Sequence, residues 1–124
     1  MIEKLIWVAL GGSIGAVLRF LIFYIWEKQH HSNFPWITLT INLIGSFLIG
    51  FLWAFFAKHF VSPGFRMFIF IGILGSFTTF STFAFDVFSL AQEGAYRSAI
   101  FYVVTTNVLG IGLAFAGYYL CWCK

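Results

Sequence analysis

Apolar residues run along this chain in four long stretches, each closed by a short polar mark. The first extends from about Leu5 to Trp26, interrupted only by Arg19 and a glycine cluster, and EKQHHSNF (27–34) follows it. The second starts at Pro35 and ends near Ala57, before Lys58 and His59. The third begins after Ser62-Pro63 and continues to about Leu90. QEGAYR (92–97) separates it from the last, Ser98 to Trp122. A bilayer core about 30 Å thick needs about 20 helical residues, and every stretch reaches that length. Backbone groups must be satisfied internally in lipid, and no alternating pattern suggests a barrel, so the spacing predicts four transmembrane helices. Pro35 and Pro63 suit first-turn positions and Ser62 an N-cap. Trp7, Trp26, Trp36, Tyr96 and Trp122 fall near the expected ends, where an interfacial aromatic belt sits. The first stretch is expected to be a span rather than a signal peptide, since three more follow it.

Composition agrees with a single four-helix membrane domain over residues 1–124. Hydrophobic residues make up 61% and charged residues 9%, with a mean hydropathy of +0.96; a soluble domain carries about 25% charge. Eighteen Phe, five Trp and five Tyr are too many for a water-soluble core of this size. Disorder and a disulfide scaffold are excluded on the same grounds. The seven Lys and Arg are scattered singly, which argues against a nucleic-acid partner. Cys121 and Cys123 read as a membrane-end feature, and His30 and His31 as a solvated loop pair. No nucleophile triad or nucleotide loop can be assembled, so no enzyme and no organic cofactor is expected.

Helical hairpins place Lys4, Lys58, Arg66 and Lys124 on one side of the membrane. Lys28 and Arg97, with Arg19 if it is counted toward its nearer end, fall on the other. That balance is poor instruction for a single orientation. Two readings stay open: the N-terminus in the cytoplasm, or insertion both ways with pairing of inverted copies. Gly11-x-x-x-Gly15, Ser46-x-x-x-Gly50, Gly110-x-x-x-Ala114 and Gly112-x-x-x-Ala116 supply close-packing faces.

The unusual chemistry lies in GILGSFTTFSTFAFD (72–86), where Thr78, Thr79, Ser81 and Thr82 fall within five residues near the middle of the third span. As one straight helix the stretch from Phe65 to Leu90 would reach about 39 Å, so it either tilts or breaks. Ser and Thr bonded to the preceding turn suit the tilted helix. A break eased by Gly72 and Gly75 would expose carbonyls and amides together, with Thr79 and Ser81 as hydroxyl donors to an anion. Phe77, Phe80 and Phe83 recur every third residue. Phe77 is assigned to packing, whereas Phe80 and Phe83 interleave with the hydroxyls, and a ring edge is positive enough to tolerate an anion. Thr38, Asn42 and Ser46 form one stripe on the second span, where Asn42 is either interhelical glue or a pore amide. Tyr102 and Thr106 share a face of the fourth. Arg19 either snorkels or makes a vestibule attractive to anions, and Asp86 lies past the centre of its span.

These residues resemble the Fluc (CrcB) family of fluoride channels across essentially the whole chain. GGSIGAVLRF (11–20) is similar to the family's first-span glycine-arginine pattern, with Phe20 where Tyr or Trp is usual. TLTINLIGSFLIG (38–50) resembles the segment around the pore asparagine. GILGSFTTFSTF (72–83) resembles the broken third helix, with Ser76 where a second Gly is common. The resemblance implies an all-α membrane protein whose third helix is broken, assembled as an antiparallel dual-topology homodimer in the lipid of the bacterial inner membrane and passing fluoride passively. It further implies Phe80 and Phe83 as anion-facing rings and Asn42 as a hydrogen-bonding pore residue. Thr79 with Ser81 would form a polar track, Arg19 the vestibule arginine, and Tyr102 the tyrosine near the asparagine. The backbone carbonyls of Gly75 and Thr78 would help hold a structural Na+ at the dimer centre. The family often has a small hydroxyl residue about six past the tyrosine. Here that position is Val108, leaving Thr105 or Thr106 as the substitute.

From the residues alone, a four-span oligomer with a polar break is expected to carry an ion. A dual-topology small-solute exporter shares the length and charge balance but lacks a mid-membrane acid here. A structural accessory subunit would use the same polar groups only for packing.

Overall fold

A computed structural model describes residues 1–123 as an all-helical chain. Helix α1 spans Ile2–Gln29 and α2 spans Trp36–Lys58. The third span is composite: α3 (Pro63–Met67), a π-helical turn (Phe68–Leu74), α4 (Gly75–Phe77), two extended residues, then α5 (Phe80–Gln92). Helix α6 covers Tyr96–Trp122. Among the described residues, four segments are long and apolar enough to cross a membrane: Ile2–Gln29, Trp36–Lys58, Pro63–Gln92 and Tyr96–Trp122. The chain is therefore a multi-pass membrane protein. The first helix runs three residues into the expected polar connection. Pro35 is the N-cap of α2 rather than its first residue, whereas Pro63 does open α3, with the Ser62 hydroxyl accepting from the Phe65 amide at 3.3 Å.

The principal pairing is α2 with α6, and α1 packs on the π-helical turn and α4. Close approach decides both interfaces. A Cβ on Gly50 would strike the Ala114 carbonyl, and one on Gly11 would strike the Phe68 carbonyl and lie 2.9 Å from the Gly72 Cα. Small residues thus let backbones touch where lipid provides no hydrophobic drive between helices. At the far end of the third span, Gly94 adopts φ 78°. Its amide donates to Ala91 and that of Ala95 to Leu90, an αL-capped helix end that turns the chain into α6. Lys58 donates to the terminal carbonyls of Cys121 and Trp122 (2.9 and 2.8 Å), and Arg66 to that of Phe56 at 2.7 Å, so basic side chains close the C-termini of α6 and α2. Helices α1 and α5 make no backbone approach to each other and leave a cleft between them.

Candidate functional site

The third span does not tilt as one helix. It breaks at Thr78 (φ −77°, ψ 157°) and Thr79 (φ −150°, ψ 117°). Both are β-branched residues that lose little in extended backbone. Gly72 and Gly75 do not ease this break. Gly75 is ordinary right-handed helix (φ −63°, ψ −33°), and Gly72 serves the contact with Gly11. What ends α4 is a set of replacement hydrogen bonds for groups that helix geometry would otherwise pair. The Asn42 amide takes both sides of one peptide residue: Oδ1 accepts from the Thr79 amide at 2.9 Å and Nδ2 donates to the Thr79 carbonyl at 3.1 Å. Thr79 Oγ1 accepts from the Thr82 amide at 3.2 Å, the N-cap of α5. Arg19 Nε donates to the Ser76 carbonyl at 3.0 Å, and the Ser76 hydroxyl reaches Gly12 on α1 at 2.9 Å and Gly72 at 2.6 Å.

Arg19 therefore turns inward to the broken helix instead of snorkelling. Asn42 is the bond that holds the break open, and one Nδ2 hydrogen remains beyond it. A cavity of about 330 Å³ opens beside the break, lined by Asn42, Ser46, Gly75, Thr78 and Thr79. Phe80, Phe83 and Thr106 also border it. The two rings lie 5.6 Å apart at 51°, but their settings differ: Phe83 is 8% exposed and Phe80 is 78% exposed. Phe83 meets Tyr102 edge-on at 5.0 Å. Phe77 is buried, matching its assignment to packing.

Hydroxyls extend away from the break. Thr79 Oγ1 donates to Thr82 Oγ1 at 3.1 Å and lies 3.4 Å from Ser81 Oγ. Thr82, one of the four mid-span hydroxyls but given no site role from the sequence, borders the second cleft together with Arg19. Tyr102 is 0% exposed, and its hydroxyl donates not to Asn42 but to Asp86 Oδ2 at 3.0 Å. This partnership was illegible in the sequence, since 16 residues and a helix connection separate the two. Of the two threonines left open on α6, Thr106 faces the cavity, and its Oγ1 is buried without a partner. Val108 is 63% exposed and points elsewhere. The break releases the Gly75 and Thr78 carbonyls from the donors a continuous helix would supply, and both residues border the cavity. Cys121 and Cys123 are both free thiols.

A broken membrane helix whose released carbonyls and hydroxyls border a cavity defines a polytopic ion-conducting type of protein, built on the half-helix principle. The family model described as CrcB-like protein, Camphor Resistance (CrcB), matches residues 6–118. A protein of Aquifex aeolicus (strain VF5) named "Fluoride-specific ion channel FluC" is 45% identical over 114 residues, covering 91% of this chain and 92% of its own. Proteins of the same name from Agrobacterium fabrum and Salinibacter ruber are 44% and 42% identical, covering 89% and 92% of this chain and 89% and 86% of theirs. The chain belongs to the CrcB family.

Proposed function

We propose that the chain is a passive, fluoride-selective channel of the bacterial inner membrane. Its membership of the CrcB family and its similarity to three proteins named as fluoride-specific channels support this reading. The observation that carries the mechanism is the Asn42–Thr79 pairing, which keeps helix ends and hydroxyls open on one cavity. Fluoride is strongly hydrated, and bringing it to membrane depth requires donors in place of water. Arg19 draws the anion into the cleft, Thr82, Ser81 and Thr79 offer hydroxyls in sequence, and Thr106 adds another from α6. The edges of Phe80 and Phe83 border the route where hydroxyls are sparse. Asp86 is engaged with Tyr102 and no other acid lies within the third span, which favours passive flow over proton exchange.

The working unit is an inverted pair of identical chains, supported by the near-balanced flanking charges and by the exposure of Phe80 in the single chain. The Gly75 and Thr78 carbonyls fit half of a site for a structural Na+, with the same two from a second copy completing it. Carbonyl oxygens released by an unwound helix are the ligands such a cation takes. The test is efflux from vesicles containing purified protein. Fluoride leaves down its gradient only when a potassium ionophore relieves the membrane potential, and chloride stays behind. Equal chloride and fluoride rates, or fluoride flux that demands an opposing proton gradient, refute the reading. Absence of flux favours an accessory packing role.

A further inference from the structure

The cleft between α1 and α5 has a volume of about 420 Å³ and carries two opposite charges at different depths. Arg19 lies at its inner end, hydrogen-bonded to the Ser76 carbonyl beside the break. Glu27 borders the same cleft eight residues further along α1, about 12 Å nearer the helix end at 1.5 Å per residue. Phe20, Phe23 and Tyr24 form the wall between them, and Thr82 faces them from α5. Arg19 donates to a backbone carbonyl, which leaves its positive charge free to attract an anion. An anion entering this cleft from the end of α1 meets the Glu27 carboxylate first. Lys28, the neighbouring cation, lies on the Tyr24 ring of the cleft wall at 4.4 Å without itself lining the cleft, and its charge partly offsets that of Glu27.

We propose that Glu27 is an electrostatic brake at the cleft mouth, a rate-setting residue for fluoride entry that opposes the attraction of Arg19. The proposal rests on the fluoride-channel reading. A unit charge about 8 Å from the ion's route changes the local anion concentration by about twofold at ~0.01 M salt. At ~1 M, where the Debye length is about 3 Å, the effect nearly vanishes.

The test compares initial fluoride efflux from vesicles of neutral lipid for the unmodified chain, Glu27→Gln, Glu27→Lys and Glu93→Gln. Glu93 is an exposed carboxylate in the turn after α5, at the same end of the molecule but outside the cleft. Glu27→Gln is expected to raise efflux about twofold at low salt and Glu27→Lys about fourfold. Both gains should collapse at ~1 M salt, with Glu93→Gln unchanged throughout. Equal responses to Glu27→Gln and Glu93→Gln would reduce the effect to general surface charge and overturn the brake. So would unaltered efflux in both Glu27 variants while the unmodified chain conducts. No fluoride flux from the unmodified chain overturns the channel reading itself, and the brake with it.

Discussion

Replacing Asn42 by Ala removes the two hydrogen bonds, 2.9 and 3.1 Å, that satisfy the Thr79 backbone at the break. The two losses differ in size. As the N-cap residue Thr79 keeps a helical donor on its carbonyl, so losing Nδ2 costs about 0.6 kcal/mol, the average for side-chain bonds within membranes. Its amide has no other acceptor and remains unpaired in a buried setting, which costs about 1–3 kcal/mol. The sum, about 1.6–3.6 kcal/mol, lowers the folded-to-unfolded ratio roughly 15- to 400-fold. Asn107 provides the contrast: it is exposed, and its Nδ2 bonds only the Val103 carbonyl on its own helix. Asn107→Ala should cost less than about 0.6 kcal/mol, since Ala also improves helix propensity. Unfolding in mixed micelles by increasing SDS, followed by fluorescence of the five tryptophans at fixed protein concentration, measures both. Equal losses for the two variants, or Asn42→Ala at full stability, would refute the claim that Asn42 holds the break. Asn42→Asp keeps an acceptor for the Thr79 amide but loses the donor and adds charge. It should fall between the two in stability and still abolish most fluoride efflux.

Three more outcomes follow from the same geometry. Gly11→Ala forces α1 away from the Phe68 carbonyl and Gly72, and should cost more than about 3 kcal/mol or prevent recovery of folded protein. Gly12→Ala, with nothing within 4 Å of its new Cβ, should keep full yield and gain up to about 1 kcal/mol. Phe80→Ile and Phe83→Ile should each cut fluoride efflux sharply, with Phe83→Ile alone also lowering stability through its lost packing on Tyr102. Near-normal efflux in both would reject the ring assignment. His31→Cys, in a background of Cys121→Ser and Cys123→Ser, should be labelled by an impermeant thiol reagent on about half the copies from each side. Labelling from one side alone would refute the inverted pair.

Membrane residence and the number of spans were legible in the residue order because each depends on local quantities, whereas tilt and break of the third span both stayed open until the extended backbone at Thr78 and Thr79 decided for a break. A span needs only a run of apolar residues of bilayer length, and hydroxyls clustered at mid-depth demand a backbone partner or a break. The helix start marked by Ser62-Pro63 was legible for the same reason, since caps act within one turn. The site's partners depend on which helix faces which, and that is set by backbone approach at Gly11 and Gly50, tens of residues from the groups they align. The sequence could place Asn42 in a polar stripe. Only the packed helices decide that its amide closes on Thr79, that Arg19 caps Ser76, and that Tyr102 turns to Asp86. Thr106 rather than Thr105 meets the cavity because the α2–α6 contact fixes the rotation of α6. Composition determines that this chain lives in lipid. The crossing of its helices determines which of its few polar atoms are left for an ion, because in lipid every other one must already be paired.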